Sequence, residues 1–233
     1  MSDVIRGLSS MATRLILADL AGEIGRRHHI EVSFTSEGGV EVARKVRAGV
    51  QADLLVLGAT AMRALAEEGL LVAATVRPLL VSQVVAAVPA ASSAGPLSAE
   101  TELRELLVAA DRIAYSTGPS GTGLLVLLER WGLVETLRGR LVQAPPGVPV
   151  GSLLANGEAD LGFQQRSELM DVAGIRLLGP LPGEAALSTT FVGAVLAGSA
   201  QPELARTVVG LLADPANAAV VESRGMSPAP PSA

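Results

Sequence analysis

The sequence predicts an α/β protein of two lobes, with parallel-rich sheets flanked by helices, a two-strand hinge and a ligand cleft between the lobes. Three observations lead there. Strand-like and helix-like patterns alternate along the whole chain, which is the pattern of parallel sheets. Two β-type runs, residues 78–88 and 189–196, read as strands that pass from one lobe into the other; the first is too long and too β-branched for one ordinary strand. Three strand-to-helix junctions carry hydroxyls or glycines, and open α/β sheets bind ligands where such junctions gather, at the carboxyl ends of the strands. The lobes so drawn are residues 1–82 with 191–233, and residues 83–190.

Each element has a local reason. Residues 4–8 form a strand, and Ser9 or Ser10 caps the amphipathic run in which Met11, Leu15, Ala18, Leu20 and Ile24 recur. His28 and His29 follow Arg26 and Arg27 at its end, where cations suit the helix dipole. Ile30, Val32 and Phe34 alternate as a strand, and residues 35–39 loop into a helix over 40–47. Residues 52–57 are a nearly continuous apolar strand ending at Gly58, and 61–68 a helix ending at Gly69. After the long run at 78–88 and a loop at 91–96, Ser98, Thr101 and Glu102 open a helix to Ala110. A strand at 112–115, a loop of glycines and hydroxyls, a helix at 124–131 and a further segment at 134–137 come next. A Pro/Gly stretch at 145–149 leads to a helix at 150–156, a strand at 160–163, a short helix at 166–170 and a strand at 175–178. Beyond the return run at 189–196, helices at 203–213 and 216–223 close the fold, and 226–233 is a loose, proline-rich tail. No repeat recurs at a fixed period.

The loop Ser116-Thr117-Gly118-Pro119-Ser120-Gly121-Thr122-Gly123 is the most telling stretch. A helix start leaves its first N–H groups without intrahelical acceptors and carries positive potential, so it suits an anion. Hydroxyls add donors, and glycines let a ligand approach the backbone. No Gly-Lys-Ser/Thr follows, so this is not a nucleotide P-loop. The Ser9-Ser10 junction and the 35–39 loop are of the same kind.

Composition narrows the function. The chain has 233 residues, 49% hydrophobic and 18% charged, with a formal net charge of −5. With no basic block, three Phe, one Tyr and one Trp, nucleic acid is not expected as a partner. The absence of Cys removes thiol catalysis and disulfides, and the two adjacent histidines make a Ser-His-Asp triad or a histidine metal site poor readings. No cofactor motif is present, and no metal site is expected. Apolar runs stop well short of the ~20 residues a membrane span needs, so the protein is not expected to be membrane-embedded.

At this point the residues carry a family resemblance over nearly the whole chain. Leu8-Ser9-Ser10, then Phe34 to Gly39, then Arg47-Ala48-Gly49-Val50-Gln51-Ala52-Asp53-Leu54, followed by Ile113 to Ser116, Ala155 to Gln165, Ser167-Glu168-Leu169, Gly179-Pro180-Leu181-Pro182 and Arg224-Gly225-Met226, resemble the molybdate-binding branch of the periplasmic solute-binding proteins. The resemblance implies a periplasmic-binding-protein-like fold of type II and oxyanion capture by hydroxyls and backbone N–H groups. Carried over by position, Ser10 and the Ser36 to Gly39 loop, Gly38 included, serve in the first lobe, and Ser120, Val148 and Gln165 in the second; Ser9, Gly121 and Thr122 are candidates from the junctions themselves. Where that branch often has tyrosine, this chain has Gln165; Glu37 sits inside a ligand loop, where a carboxylate would repel an oxyanion. The Gly162-Phe163-Gln164-Gln165 pattern with Ser167-Glu168-Leu169 resembles a sub-branch of tricarboxylate binders and aconitate isomerases. A polycarboxylate needs charge-assisted partners, for which Arg6 and Arg166 are candidates.

The leading expectation is therefore a solute-binding protein that captures a small anion, oxyanion or polycarboxylate, as the receptor of an ABC-type importer with its membrane component as partner. One alternative is an aconitate isomerase-like enzyme moving an allylic proton, with Glu37 as base and Tyr115 a poorer candidate. Another is a cytoplasmic metabolite sensor. The resemblance places the protein in the periplasm if an export signal was removed; a native Met1 places it in the cytoplasm.

Overall fold

In the computed structural model, which describes residues 4–230, the chain begins with β1 (Ile5–Ser10), α1 (Arg14–His28), β2 (Val32–Glu37), α2 (Gly39–Arg47), β3 (Leu54–Gly58) and α3 (Ala59–Glu67). Then come β4 (Arg77–Pro89), α4 (Glu100–Ala109), β5 (Ile113–Tyr115), α5 (Pro119–Arg130), α6 (Val134–Leu137) and β6 (Leu141–Gln143). The remainder is α7 (Val150–Ala155), β7 (Leu161–Gln165), α8 (Arg166–Leu169), β8 (Ile175–Pro180), β9 (Ser188–Val195), α9 (Pro202–Leu212), α10 (Ala218–Ser223) and β10 (Met226–Pro228). The expectations about Met1 and the last residues of the tail fall outside the described residues.

The chain divides into unit 1, Met1–Val81 with Thr190–Ala233, and unit 2, Ser82–Thr189. The chain passes between the units within β4 and β9, both of which read as long runs in the sequence.

In unit 1, β1 is central, parallel to β2 on one side and β3 on the other, and β9 lies antiparallel to β3. Every residue of β3 is buried, because helices cover both faces of a parallel strand and select a continuous apolar run. One face packs Ile16, Leu17, Leu20 and Ile24 of α1 with Val208 and Leu212 of α9; the other packs Val42 and Val46 of α2 with Met62 and Leu65 of α3. Gly7 sits opposite Phe34, and a Cβ there would lie 2.3 Å from the phenyl ring, so the aromatic occupies the space glycine leaves.

Unit 2 repeats the plan. Its β5 is parallel to β6 and β7, and β4 runs antiparallel to β7 and to β8. Leu103 and Leu107 of α4 with Leu124 and Leu128 of α5 cover one face; Val150, Leu153 and Leu154 of α7 cover the other.

Several expectations need correction. Ser9 and Ser10 are the last residues of β1, a 3-10 turn at Met11–Thr13 intervenes before α1, and neither serine makes a side-chain capping bond. Thr35, Ser36 and Glu37 complete β2, so the expected loop shrinks to Gly38. Helix α5 starts at Pro119 rather than 124, which puts Ser120, Gly121 and Thr122 in its first turn. Strand β6 was not anticipated, and the first residues of the expected loose tail form β10, which pairs with β4. A short apolar triplet such as Leu141-Val142-Gln143 carries too little periodicity to announce itself.

Candidate functional site

The hydroxyl-bearing residues collect at the carboxyl ends of the parallel strands in each unit. In unit 1 the β1–β2 register sets Ser9 opposite Ser36, and their hydroxyls meet at 2.7 Å. Ser9 is fully buried and Ser10 nearly so. Ser9 Oγ also faces the Ser10 carbonyl at a long 3.4 Å, while Ser10 Oγ lies 3.4 Å from Thr13 Oγ1. Two serine hydroxyls have two protons, and their mutual bond uses one. If Ser9 donates to Ser36, the Ser36 proton is left to offer to a ligand; if Ser9 donates to the Ser10 carbonyl, Ser36 donates to Ser9 instead.

In unit 2 the same count holds at one strand-to-helix junction. Ser116 Oγ and Ser120 Oγ are 2.8 Å apart, and Ser116 Oγ accepts the Gly118 N–H at 3.1 Å, which again leaves one hydroxyl proton unused. Helix α5, starting with Pro119, has its Ser120 and Gly121 N–H groups in the first turn, where no intrahelical acceptor exists. Gly121 is required by packing: a Cβ there would lie 1.8 Å from the Ser116 carbonyl oxygen. Thr122 is exposed, and its N–H donates to Gly118 O.

Gln165 ends β7 with 1% of its surface exposed. Its Nε2 donates to Thr189 Oγ1 at 2.6 Å, while Oε1 is buried without a partner. Because a hydroxyl can donate as well as accept, Thr189 can hold either end of the amide, and the other end stays available. A second buried atom without a partner, Ser82 Oγ, lies on the same face of β4 as Val84, the residue paired with Gln165. Buried unpaired polar atoms each cost about 1–3 kcal/mol, a cost that a bound ligand or water contacting them would offset.

The other expected residues are dispersed. Arg6 pairs with Ser33, four residues back along β1 from Ser10, which is about 13 Å at the rise of a strand, and its side chain is exposed there. Arg166 is exposed on α8. Glu37 is ion-paired with Lys45 Nζ at 2.5 Å. Gly38 precedes α2 and Gly39 is its first residue. Val148 is 39% exposed and its N–H is committed to Pro145 O at 3.0 Å. Tyr115 packs against the core of unit 2, and His28 and His29 are exposed at the end of α1.

Sequence reasoning missed Ser82, Thr189 and the pairing of Ser116 with Ser120. It also passed over a repeated signal, Ala52-Asp53-Leu54 and Ala159-Asp160-Leu161. Each aspartate stands directly before the parallel strand that flanks the central one. Asp53 N–H donates to Arg6 O, and Asp53 Oδ2 accepts Arg6 N–H at 3.0 Å; Asp160 repeats both bonds with Arg112, the carboxylate bond at 2.6 Å. These are strand staples at the far end from the serines.

The sequence profile of the bacterial extracellular solute-binding proteins matches residues 5–227. The chain belongs to that family. Among solved structures, this solute-binding protein superposes on the periplasmic molybdate-binding protein of Azotobacter vinelandii with a TM-score of 0.80 at 18% identity, covering 98% of this chain and 100% of that one. It superposes on a tungstate-binding protein of Desulfovibrio alaskensis with a TM-score of 0.71 at 18% identity, covering 97% and 98%. At such identities the likeness establishes the fold. A curated relative, an aconitate isomerase of a Pseudomonas species, is 38% identical over 128 residues, which is 54% of this chain and 48% of that enzyme. The match thus spans about half the length of that relative. Among the described residues no single helix is long and apolar enough to cross a membrane.

Proposed function

We propose that this solute-binding protein captures a small anion in the periplasm and delivers it to the membrane component of an ABC-type importer. The candidate donors are, in unit 1, the hydroxyls of Ser9, Ser10 and Ser36 and, in unit 2, those of Ser116 and Ser120 with the first N–H groups of α5 and the amide of Gln165. The observation that carries this reading is the neutral hydroxyl pair at the strand ends of each unit, 2.7 and 2.8 Å long. Neutral donors suit an anion that must be released again, since they bind charge without a permanent counter-ion.

A second reading is favoured by the 38% identity to an aconitate isomerase. In that case the Gln165 amide and the serines would stabilise the enolate-like state of a tricarboxylate. Glu37 would have to leave Lys45 to act as the base.

A thermal-shift panel separates the readings, because a ligand that binds only the native state raises the melting point. The panel holds molybdate, tungstate, sulfate, phosphate, citrate, tricarballylate and both aconitate isomers. Stabilisation by one or more is the expected result, and none by any overturns the anion-binding proposal. A tricarboxylate response accompanied by cis-to-trans aconitate interconversion would convert the receptor into an enzyme.

A further inference from the structure

Glu168 lies three residues beyond Gln165, on α8, and serves none of the bonds described above. Its carboxylate accepts a hydrogen bond from Gln164 Nε2 at 2.8 Å. The other end of that amide, Gln164 Oε1, accepts the Val150 N–H at 2.8 Å. A backbone N–H can only donate, so the orientation of the Gln164 amide is fixed and its NH2 must face Glu168. The relay joins α8 to the first residue of α7, the residue into which the 145–149 loop and Val148 run. Gln164 and Gln165 are neighbours on β7 and point to opposite faces, so one strand end serves both the candidate ligand site and the relay.

The surroundings of Glu168 are unusual in carrying so little charge. Strand β7, helix α7 and residues 82–89 of β4 have no ionisable side chain. Strand β8 contributes Arg176, whose guanidinium is bound to the carbonyls of Ser92 and Ala94. On its own element Glu168 shares only the exposed Arg166, with Asp171 just beyond. The carboxyl lies deeper than the half-buried residue as a whole, and desolvation, opposed by the Gln164 bond, raises its pKa from 4.5 to about 7.

We propose that Glu168 is a positioning residue whose protonation state, passed through Gln164 to the start of α7, sets the affinity of the neighbouring site for an anion. This rests on the anion-binding reading. An ionised Glu168 adds a negative charge behind the strand end that carries Gln165, on its opposite face, and a neutral one removes it. Binding of an anion is then accompanied by proton uptake, and affinity rises as pH falls through the neutral range.

The test compares the wild type with Glu168→Gln, which keeps the size and stays neutral. Molybdate and tricarballylate titrations at pH 6 and pH 8 give the ratio of the two proteins' dissociation constants, in which the ligand's own protonation cancels. The expected result is parity at pH 6 and a wild type weaker by about fivefold or more at pH 8. A ratio independent of pH overturns the proposal. The same two proteins without ligand, melted across pH 4–8, report the relay on its own. The folded state holds the Glu168 proton more tightly than the unfolded chain, so its contribution is complete below pH 4.5 and is lost as pH rises to about 7. The wild type should lose melting temperature relative to the variant over that window, and parallel profiles would also overturn the proposal. If neither anion binds while the melts behave as expected, the anion-binding reading is what fails.

Discussion

The two units solve the same folding problem with the same parts in different surroundings. In unit 1, α2 ends at Ala48 and Gly49, and in unit 2, α7 ends at Asn156 and Gly157. Both glycines have positive φ, 78° and 70°. Both ends close alike: the glycine N–H donates three residues back, and the next N–H five residues back, Val50 to Lys45 and Glu158 to Leu153. An Ala-Asp-Leu sequence then enters a parallel strand with its aspartate stapled to the strand beside it. The hydroxyl pairs differ. In unit 1 the pair joins two strands, and in unit 2 it closes one strand-to-helix turn. The shared parts are what a parallel strand needs at its amino end; the differing parts sit at the carboxyl end, where the ligand is proposed to bind.

The sharpest contrast lies at the helix starts. Gly121 cannot take a Cβ without meeting a carbonyl at 1.8 Å, whereas a Cβ at Gly39 would find its nearest neighbour, Leu57 Cδ2, at 3.9 Å. The obstacle at Gly121 is backbone, which cannot swing away. Gly121→Ala should therefore cost about 3 kcal/mol or more, while Gly39→Ala stays within about 0.5 kcal/mol of wild type. Urea midpoints for the two variants check this, and equal values would mean that the two helix starts are alike after all.

The staples come next. Asp53 is buried and additionally accepts Ser199 Oγ at 2.7 Å; Asp160 is exposed and shares its carboxylate between the N–H groups of Asp111 and Arg112. Water can replace Asp160 but not Asp53. Asp53→Ala should cost about 2–3 kcal/mol and Asp160→Ala about 1 kcal/mol. Equal losses, read from the same urea curves, would show that the bond pattern alone, and not burial, sets the strength of the staple.

The fold was legible because it rests on patterns that local sequence carries. The buried run Leu54 to Gly58 and the long Arg77–Pro89 strand both stood where their apolar, β-branched composition put them. The site was legible only in outline. Ser9 and Ser10 look like a cap because serine before an amphipathic run usually is one, and only the pairing register with Ser36 gives Ser9 its actual partner. Thr189 stands 24 residues from Gln165, and no local rule joins them. The raised pKa of Glu168 comes from burial, opposed by the Gln164 bond, and nothing in the local run Ser167-Glu168-Leu169 announces that burial. The Ala-Asp-Leu duplicate was present in plain view, but a repeat separated by most of a domain has no fixed period to reveal it.

The smallest effects should come from the hydroxyl pairs. Removing Ser36 leaves Ser9 Oγ, fully buried, with only the long 3.4 Å contact to the Ser10 carbonyl. Removing Ser120 leaves Ser116 half-buried and still accepting the Gly118 N–H at 3.1 Å. Ser36→Ala should thus cost about 1–2 kcal/mol of stability, and Ser120→Ala less than about 1 kcal/mol. On affinity the order should even out, because each variant removes one hydroxyl of a pair at which an anion could be held. Dissociation constants for the best anion of the thermal-shift panel, set beside the two melting points, separate these effects. If Ser120→Ala left affinity untouched while Ser36→Ala abolished it, the ligand would be held by unit 1 alone, and the likeness of the two hydroxyl pairs would be a feature of folding rather than of binding.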